Sequence, residues 1–185
     1  GEVRIGNALV SATDFFAPVI DRLSRLYPRI VFHVLPSTSD ILHRELSARS
    51  LDLVIARGGG LFKDEQFGFE VLYDDLFVVL AGAQNPWARR RRIELAELVN
   101  EPWALPTLES AVTQAAMEAF RASGLDYPRA TVVADFAQVR MSLLATKRFL
   151  TIFPASVLRF STSRPEFKVL PVELPIARVS VGIVA

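Results

Sequence analysis

The sequence predicts an α/β protein made of two Rossmann-like subdomains joined by two crossover segments, with a ligand cleft between them. Three observations predict it. Short apolar, β-branched runs alternate with stretches whose apolar residues recur every three to four positions, the succession expected of consecutive βαβ units. The chain has 185 residues, 51% hydrophobic and 22% charged, enough to bury one large core or two small ones. A polar, basic, proline-bearing stretch from Gly82 to Arg92 then separates one α/β set from a fresh one.

Taken in order, Val3 to Gly6 reads as a strand and Asp14 as the N-cap of a helix whose stripe is Phe16, Val19, Ile20, Leu23 and Leu26. Tyr27-Pro28 ends that helix, because the residue before proline is pushed out of the α region. Ile30 to Leu35 is a strand, and Ser37 to Ser50 a helix with Ile41, Leu42, Leu46 and Ala48 inward. Leu51 to Ala56 is apolar almost throughout, as a buried parallel strand should be. After the loop Arg57-Gly58-Gly59-Gly60, Phe69 to Ala81 supplies two extended runs around Tyr73-Asp74-Asp75.

The second set reads as a helix near Ile93 to Val99, a strand at Pro102 to Leu105 and a helix from Ser110 to Ser123. A strand at Ala130 to Ala134, a helix at Phe136 to Ala145 and a strand at Phe149 to Phe153 complete it. Beyond Pro154 come a short helix and the strands Phe167 to Leu170 and Arg178 to Val184. The expected division is therefore 1–81 with 155–185 for the first subdomain and 82–154 for the second. The chain opens in a strand and stops inside the alternating run Val179, Val181, Ile183, so a longer parent protein is expected.

Composition excludes several functions. With no cysteine there are no disulfides, thiolate nucleophiles or cysteine metal sites. A formal net charge of +1 gives no field for steering nucleic acid, so DNA contact by these residues themselves is not expected. The four arginines Arg89 to Arg92 read as a solvated face, and Gly58-Gly59-Gly60 lacks the Lys-Ser or Lys-Thr of a phosphate loop. His33 and His43 lie on different elements without a partner at metal-ligand spacing. There is no Gly-x-Ser-x-Gly elbow, no membrane-length apolar run and no signal peptide at Gly1. Neither an enzyme, a cofactor nor a metal site is expected.

The chain resembles the effector-binding domain of LysR-type transcriptional regulators, which has the type 2 periplasmic-binding-protein fold. The residues that carry the likeness are Val3-Arg4-Ile5-Gly6, the segment Leu46-Ser47-Ala48-Arg49-Ser50-Leu51-Asp52-Leu53-Val54-Ile55, and Gln84-Asn85-Pro86-Trp87-Ala88. One departure stands out: Lys147-Arg148-Phe149 occupies the place of the family's Gly-x-Gly, where the turn must differ. The family's last helix is also missing after Ala185. The resemblance implies a cytoplasmic, bacterial, DNA-coupled sensor of a small-molecule effector, acting as a homodimer, with a tetramer open for the parent. It places the first helix and the strand near Val71 of one subunit against the second subdomain of the other, and DNA binding in an N-terminal domain absent from these residues. The alternative is a periplasmic solute-binding protein serving a transporter, which shares the fold.

Candidate ligand contacts are hydroxyls beside helix N-termini, where free N–H groups carry partial positive charge. These are Ser11 and Thr13 before the first helix, Ser37 and Thr38 before the second, and Thr107 and Ser110 in the second set. Each could instead be a helix cap worth about 1 kcal/mol. Thr38 is the first choice, because three hydroxyls in a row exceed what one cap needs; Asp40 could equally be that cap. Arg57 could fork onto a carboxylate or pair with Asp52, Asp64 or Glu65. Gln138 could reach ligand, Phe136 reads as core, Trp103 as buried rather than stacked on a ligand ring, and Glu109 argues for a hydroxylated or amino-bearing ligand or points outward.

Overall fold

The computed structural model describes residues 1–8, 13–58, 62, 66–159 and 166–185. The chain forms two compact units, Gly1–Asp75 with Arg178–Ala185, and Leu76–Ala177. In the first, β1 (Glu2–Asn7), α1 (Thr13–Leu26), β2 (Val31–Pro36), α2 (Ser39–Ser47), β3 (Leu53–Arg57) and β4 (Phe69–Asp75) are joined by the returning strand β10 (Val179–Val184). Strand order is β2-β1-β3-β10-β4. β1 pairs parallel with β2 and β3, and β10 runs antiparallel to both its neighbours. Parallel pairing demands crossovers, which α1 and α2 supply.

Helix α2 buries Leu42 and Leu46, spaced i,i+4, against Leu51, Val54 and Ala56. Ile41 and Ala48 are exposed, contrary to expectation, because each lies about 100° or more around the helix from that pair. The backbone of α1 is already helical at Thr13, so Asp14 falls within the first turn and is not the N-cap. Phe16 of α1 packs in a cluster with Ile5, Ile55 and Val181, while Val19 and Leu26 stay exposed.

The second unit contains β5 (Phe77–Gly82), two 3₁₀ turns (Pro86–Arg89 and Leu95–Leu98), β6 (Trp103–Leu105), α3 (Ala111–Ala122), β7 (Ala130–Val133), α4 (Ala137–Ala145), β8 (Leu150–Pro154), α5 (Ser156–Arg159) and β9 (Phe167–Val169). Its order is β7-β6-β8-β5-β9, with β5 antiparallel to its neighbours β8 and β9. Each sheet thus has one strand running against the others. The pairing of β5 explains why the unit boundaries differ from the expected 81/82 and 154/155. Residues 77–82 sit between β8 and β9, so they and residues 155–177 fall in the second unit.

Alternation along β8 divides this core. Leu150 and Ile152 join Trp103, Val112, Ala116 and Phe120 on the α3 side, whereas Phe153 joins Leu80, Met141 and Leu144 on the α4 side. Trp103 has no exposed surface; its Nε1–H donates to the Leu98 carbonyl at 2.8 Å and its ring meets Phe120 edge-on. The helix expected at Ile93 to Val99 is only one 3₁₀ turn. The Leu98 carbonyl is taken by Glu101 N–H and by Trp103, which turns the chain into β6. Helix α3 ends at Gly124, whose φ of +70° is the left-handed conformation that glycine adopts without strain.

Candidate functional site

In each unit the candidate residues follow the carboxyl ends of parallel strands, the edge where helix N-termini gather. In unit 1, Ser11 lies outside the described residues, and so does the side chain of Thr13. Ser37 is half-buried and its N–H donates to the Asn7 carbonyl at 3.2 Å, which extends the β1–β2 pairing beyond β2 and fixes where α2 begins.

Thr38 occupies the N-cap position of α2, with φ −74° and ψ 154°, yet its hydroxyl does not cap the helix. That hydroxyl donates instead to the Asp40 carboxylate. With hydrogen bonds from the Asp40 and Ile41 N–H groups and the nearby Arg44 charge, it holds the Asp40 carboxyl below its usual range against some desolvation. The capping duty therefore falls on Asp40, and the exposed Thr38 keeps the lone pairs of its hydroxyl for another partner.

Arg57 closes β3, and register places it in a row with Val181 and Tyr73 across β10, the three side chains on one face. Burial pushes its pKa down, while Asp75 and Tyr73 favour the charged form. Asp52, one partner expected for it, is engaged by Arg4, with Nε 3.8 Å from Oδ2 and the Arg4 N–H 2.7 Å from the same oxygen. Asp64 and Glu65 lie outside the described residues.

In unit 2, Ser110 is the N-cap of α3, its Oγ accepting from Val112 N–H at 3.3 Å. Thr107 is half-buried, and its N–H donates to Asp135 Oδ1 at 2.9 Å. Asp135 was not among the sequence candidates, yet it ties the loop after β6 to the loop after β7. The signal for it was an acid standing just before a helix start. Gln138 is exposed in the first turn of α4 and Glu109 is exposed too. Phe136, expected in the core, is 77% exposed, because it holds the N-cap position of α4 and escapes that helix's inward face.

Arg140 was also missed. Its side chain is buried, with one terminal nitrogen 3.3 Å from the Ile152 carbonyl and the guanidinium 4.3 Å from the Phe153 ring centre. Strands β6 and β8 pair only at Trp103 and Leu150. Beyond that point the Thr151 hydroxyl donates to Ala104 O at 2.6 Å and ties β8 to β6, while Arg140 bonds the β8 backbone at Ile152. Burial brings the Arg140 pKa down to about 10, opposed by Asp135 and Tyr127. A lone arginine inside an apolar helix pattern gives no sequence signal for this role.

His43 packs edge-on against Phe67, and His33 lies 3.7 Å from Glu2 on the sheet surface. Among the described residues no group of three metal-ligating side chains forms, and no helix is long and apolar enough to cross a membrane.

Each of the two α/β units thus carries polar loops that follow its parallel strands. The model of the family described as LysR substrate binding domain matches residues 1–185, and the chain belongs to that family. Relatives include the HTH-type transcriptional regulator GbpR of Azospirillum brasilense, 25% identical over 154 residues, 83% of this chain and 45% of GbpR. CysL of Bacillus subtilis, also an HTH-type transcriptional regulator, is 21% identical over 170 residues, 92% of this chain and 56% of CysL. The chain thus spans about half the length of the curated relatives it matches.

Among solved structures, the Synechocystis CcmR regulatory domain in complex with 2-PG superposes with a TM-score of 0.79 at 16% identity, covering 100% of this chain and 87% of that one. The BenM effector binding domain with its effector benzoate gives 0.76 at 19% identity, covering 100% and 82%. These two likenesses establish the fold.

Proposed function

We propose that this domain senses a small anionic or hydroxylated metabolite through its strand-end loops and passes the signal to a DNA-binding domain elsewhere in a cytoplasmic regulator. The contacts on this reading are Ser11, Thr13, Ser37, Thr38 and Arg57 in unit 1, and Thr107, Ser110 and Gln138 in unit 2. The observation that carries it is Thr38: a hydroxyl stands exposed at a helix N-terminus whose capping it does not perform, on a chain that matches the LysR family from end to end. A ligand shifts such a sensor only through different affinity for its two states. Ser110 serves as a cap, but a capping hydroxyl still has a proton to donate. The relatives that match are transcriptional regulators, which favours this reading over a transporter's solute-binding protein and over an enzyme.

Thr38→Val tests the site. With no cap to lose, stability should stay within about 1 kcal/mol of wild type. Effector affinity should fall roughly fivefold, since the hydroxyl, its proton held by Asp40, loses the one hydrogen bond it accepts from an effector hydroxyl or amino group. Calorimetry with a panel of hydroxy- and amino-substituted small carboxylates measures the second, and equal affinity in the variant removes Thr38 from the site.

We propose further that the domain dimerises with α1 and β4 of one subunit against unit 2 of the other. Leu26 and Tyr27 at the end of α1, and Val71 and Leu72 on β4, are exposed apolar side chains, which supports the arrangement the family resemblance implies. Val71→Asp should then yield monomers in sedimentation velocity at concentrations where wild type is dimeric; a wild type that sediments as a monomer throughout counts against the interface.

A further inference from the structure

Unit 2 carries a pocket of 640 Å³ lined by Asn85, Trp87, Arg90, Glu101, Lys147 and Arg148, among others. It lies where β5 ends and β6 and β8 begin, the sheet edge opposite the loops of Thr107 and Gln138, which follow the carboxyl ends of β6 and β7. We propose that this pocket is a second binding site, for a small phosphorylated molecule with an apolar or aromatic body. It is independent of the effector reading above.

The apolar side is pre-organised. Trp87 is half-buried on a 3₁₀ turn whose geometry is set by Asn85: the Asn85 side chain is 1% exposed and accepts the Trp87 N–H at 2.9 Å. Lys168 Nζ donates to the Ala88 carbonyl on the same turn. Arg90 lies 5.5 Å from the Trp87 ring centre and is oriented by Glu97 at 3.1 Å. A ring entering here meets fixed apolar surface at little ordering cost.

The charged side is in surplus. Lys147 and Arg148 are both exposed, and among the described residues neither makes an ion pair; Arg148 rests over the Phe149 ring at 5.4 Å. Within the lining, Glu101 is the only acid against these two and the Glu97-bound Arg90. Two cations with free donors beside an aromatic wall suit a phosphate ester better than a neutral ligand.

The backbone adds a third observation. Lys147 has φ +68°, immediately past the end of α4, with its N–H on the Leu144 carbonyl at 3.0 Å. Helices commonly end there on glycine, because a Cβ in that conformation costs about 1–2 kcal/mol. The turn was expected to differ from one that needs glycine; instead its backbone is left-handed and a lysine occupies it. Arg49, at φ +59° after α2, shows that strain alone marks no site. What distinguishes Lys147 is that its strained position places an ammonium-bearing residue on the wall of a pocket that already holds Arg148 and Trp87.

The test follows the two indole N–H resonances of the ¹⁵N-labelled chain during titration with phenyl phosphate at constant ionic strength. Trp87 should shift saturably while buried Trp103 stays still, and inorganic phosphate should bind the same site more weakly. Lys147→Gly should melt at the same temperature or higher, because strain is relieved, while phenyl phosphate affinity falls about fivefold. Arg148→Ala should weaken binding similarly. Equal affinity in Lys147→Gly, or a shift that never saturates, overturns the proposal. So does a short DNA duplex that shifts Trp87 where phenyl phosphate does not, which would assign this face to nucleic acid.

Discussion

Trp103→Ala is expected to cost about 3–5 kcal/mol, the range for deleting a fully buried aromatic from a close-packed core. Two losses combine. The cavity opens between α3 and the sheet, where Trp103 meets Phe120 edge-on, and the neighbouring atoms relax into it only partly. The Leu98 carbonyl also loses its indole donor at 2.8 Å and keeps only the Glu101 N–H, a loss of one hydrogen bond worth about 0.5–1.5 kcal/mol. Trp103→Phe separates the two by keeping most of the ring and losing the N–H, so it should fall between alanine and wild type. Urea unfolding followed by near-ultraviolet circular dichroism measures all three. An alanine variant within 1 kcal/mol of wild type would remove Trp103 from the centre of the unit 2 core.

Gly182→Ala should destabilise unit 1 by about 3 kcal/mol or more, the cost of overpacking where backbone must move. A Cβ there would stand 2.3 Å from the Glu70 carbonyl oxygen and 2.7 Å from the Phe69 ring. The carbonyl belongs to β4, which pairs with β10 at that level through a register shift between Val181 and Gly182, so it cannot yield without breaking the pairing. Because β10 lies between β3 and β4, the damage should spread to both. Amide hydrogen exchange should show lost protection in β3, β4 and β10 with β5, β6 and β8 still protected. Unchanged protection across β10 would mean that the approach of these strands is looser than described.

Much of the fold was legible because its signals are local. The i,i+4 pair Leu42 and Leu46, the apolar strand at Leu53–Arg57 and the burial of Trp103 all follow from periodicity or side-chain size. What could not be read was non-local. Nothing in Phe77–Gly82 says that this apolar run belongs between β8 and β9, since apolarity requires a partner without naming it, and so the unit boundary was placed after it. Phe136 misled because size predicts burial only when the backbone points the side chain inward. In the site, residue type and position marked the hydroxyls, but not which were already engaged. Ser110 and Thr38 look alike in sequence, and only geometry distinguishes the cap from the exposed hydroxyl. Asp135 and Arg140 act across 28 and 12 residues of sequence, on Thr107 and Ile152, beyond the reach of any local pattern.

The central claim is that this domain binds a small effector through its strand-end loops. Native mass spectrometry of the wild-type chain and Thr38→Val, each incubated with metabolite extract from the organism that encodes it, tests this most directly. The account predicts a one-to-one small-molecule adduct on the wild type, strongly reduced on the variant at unchanged melting temperature. An adduct of equal occupancy on both chains, or none on either, would contradict it.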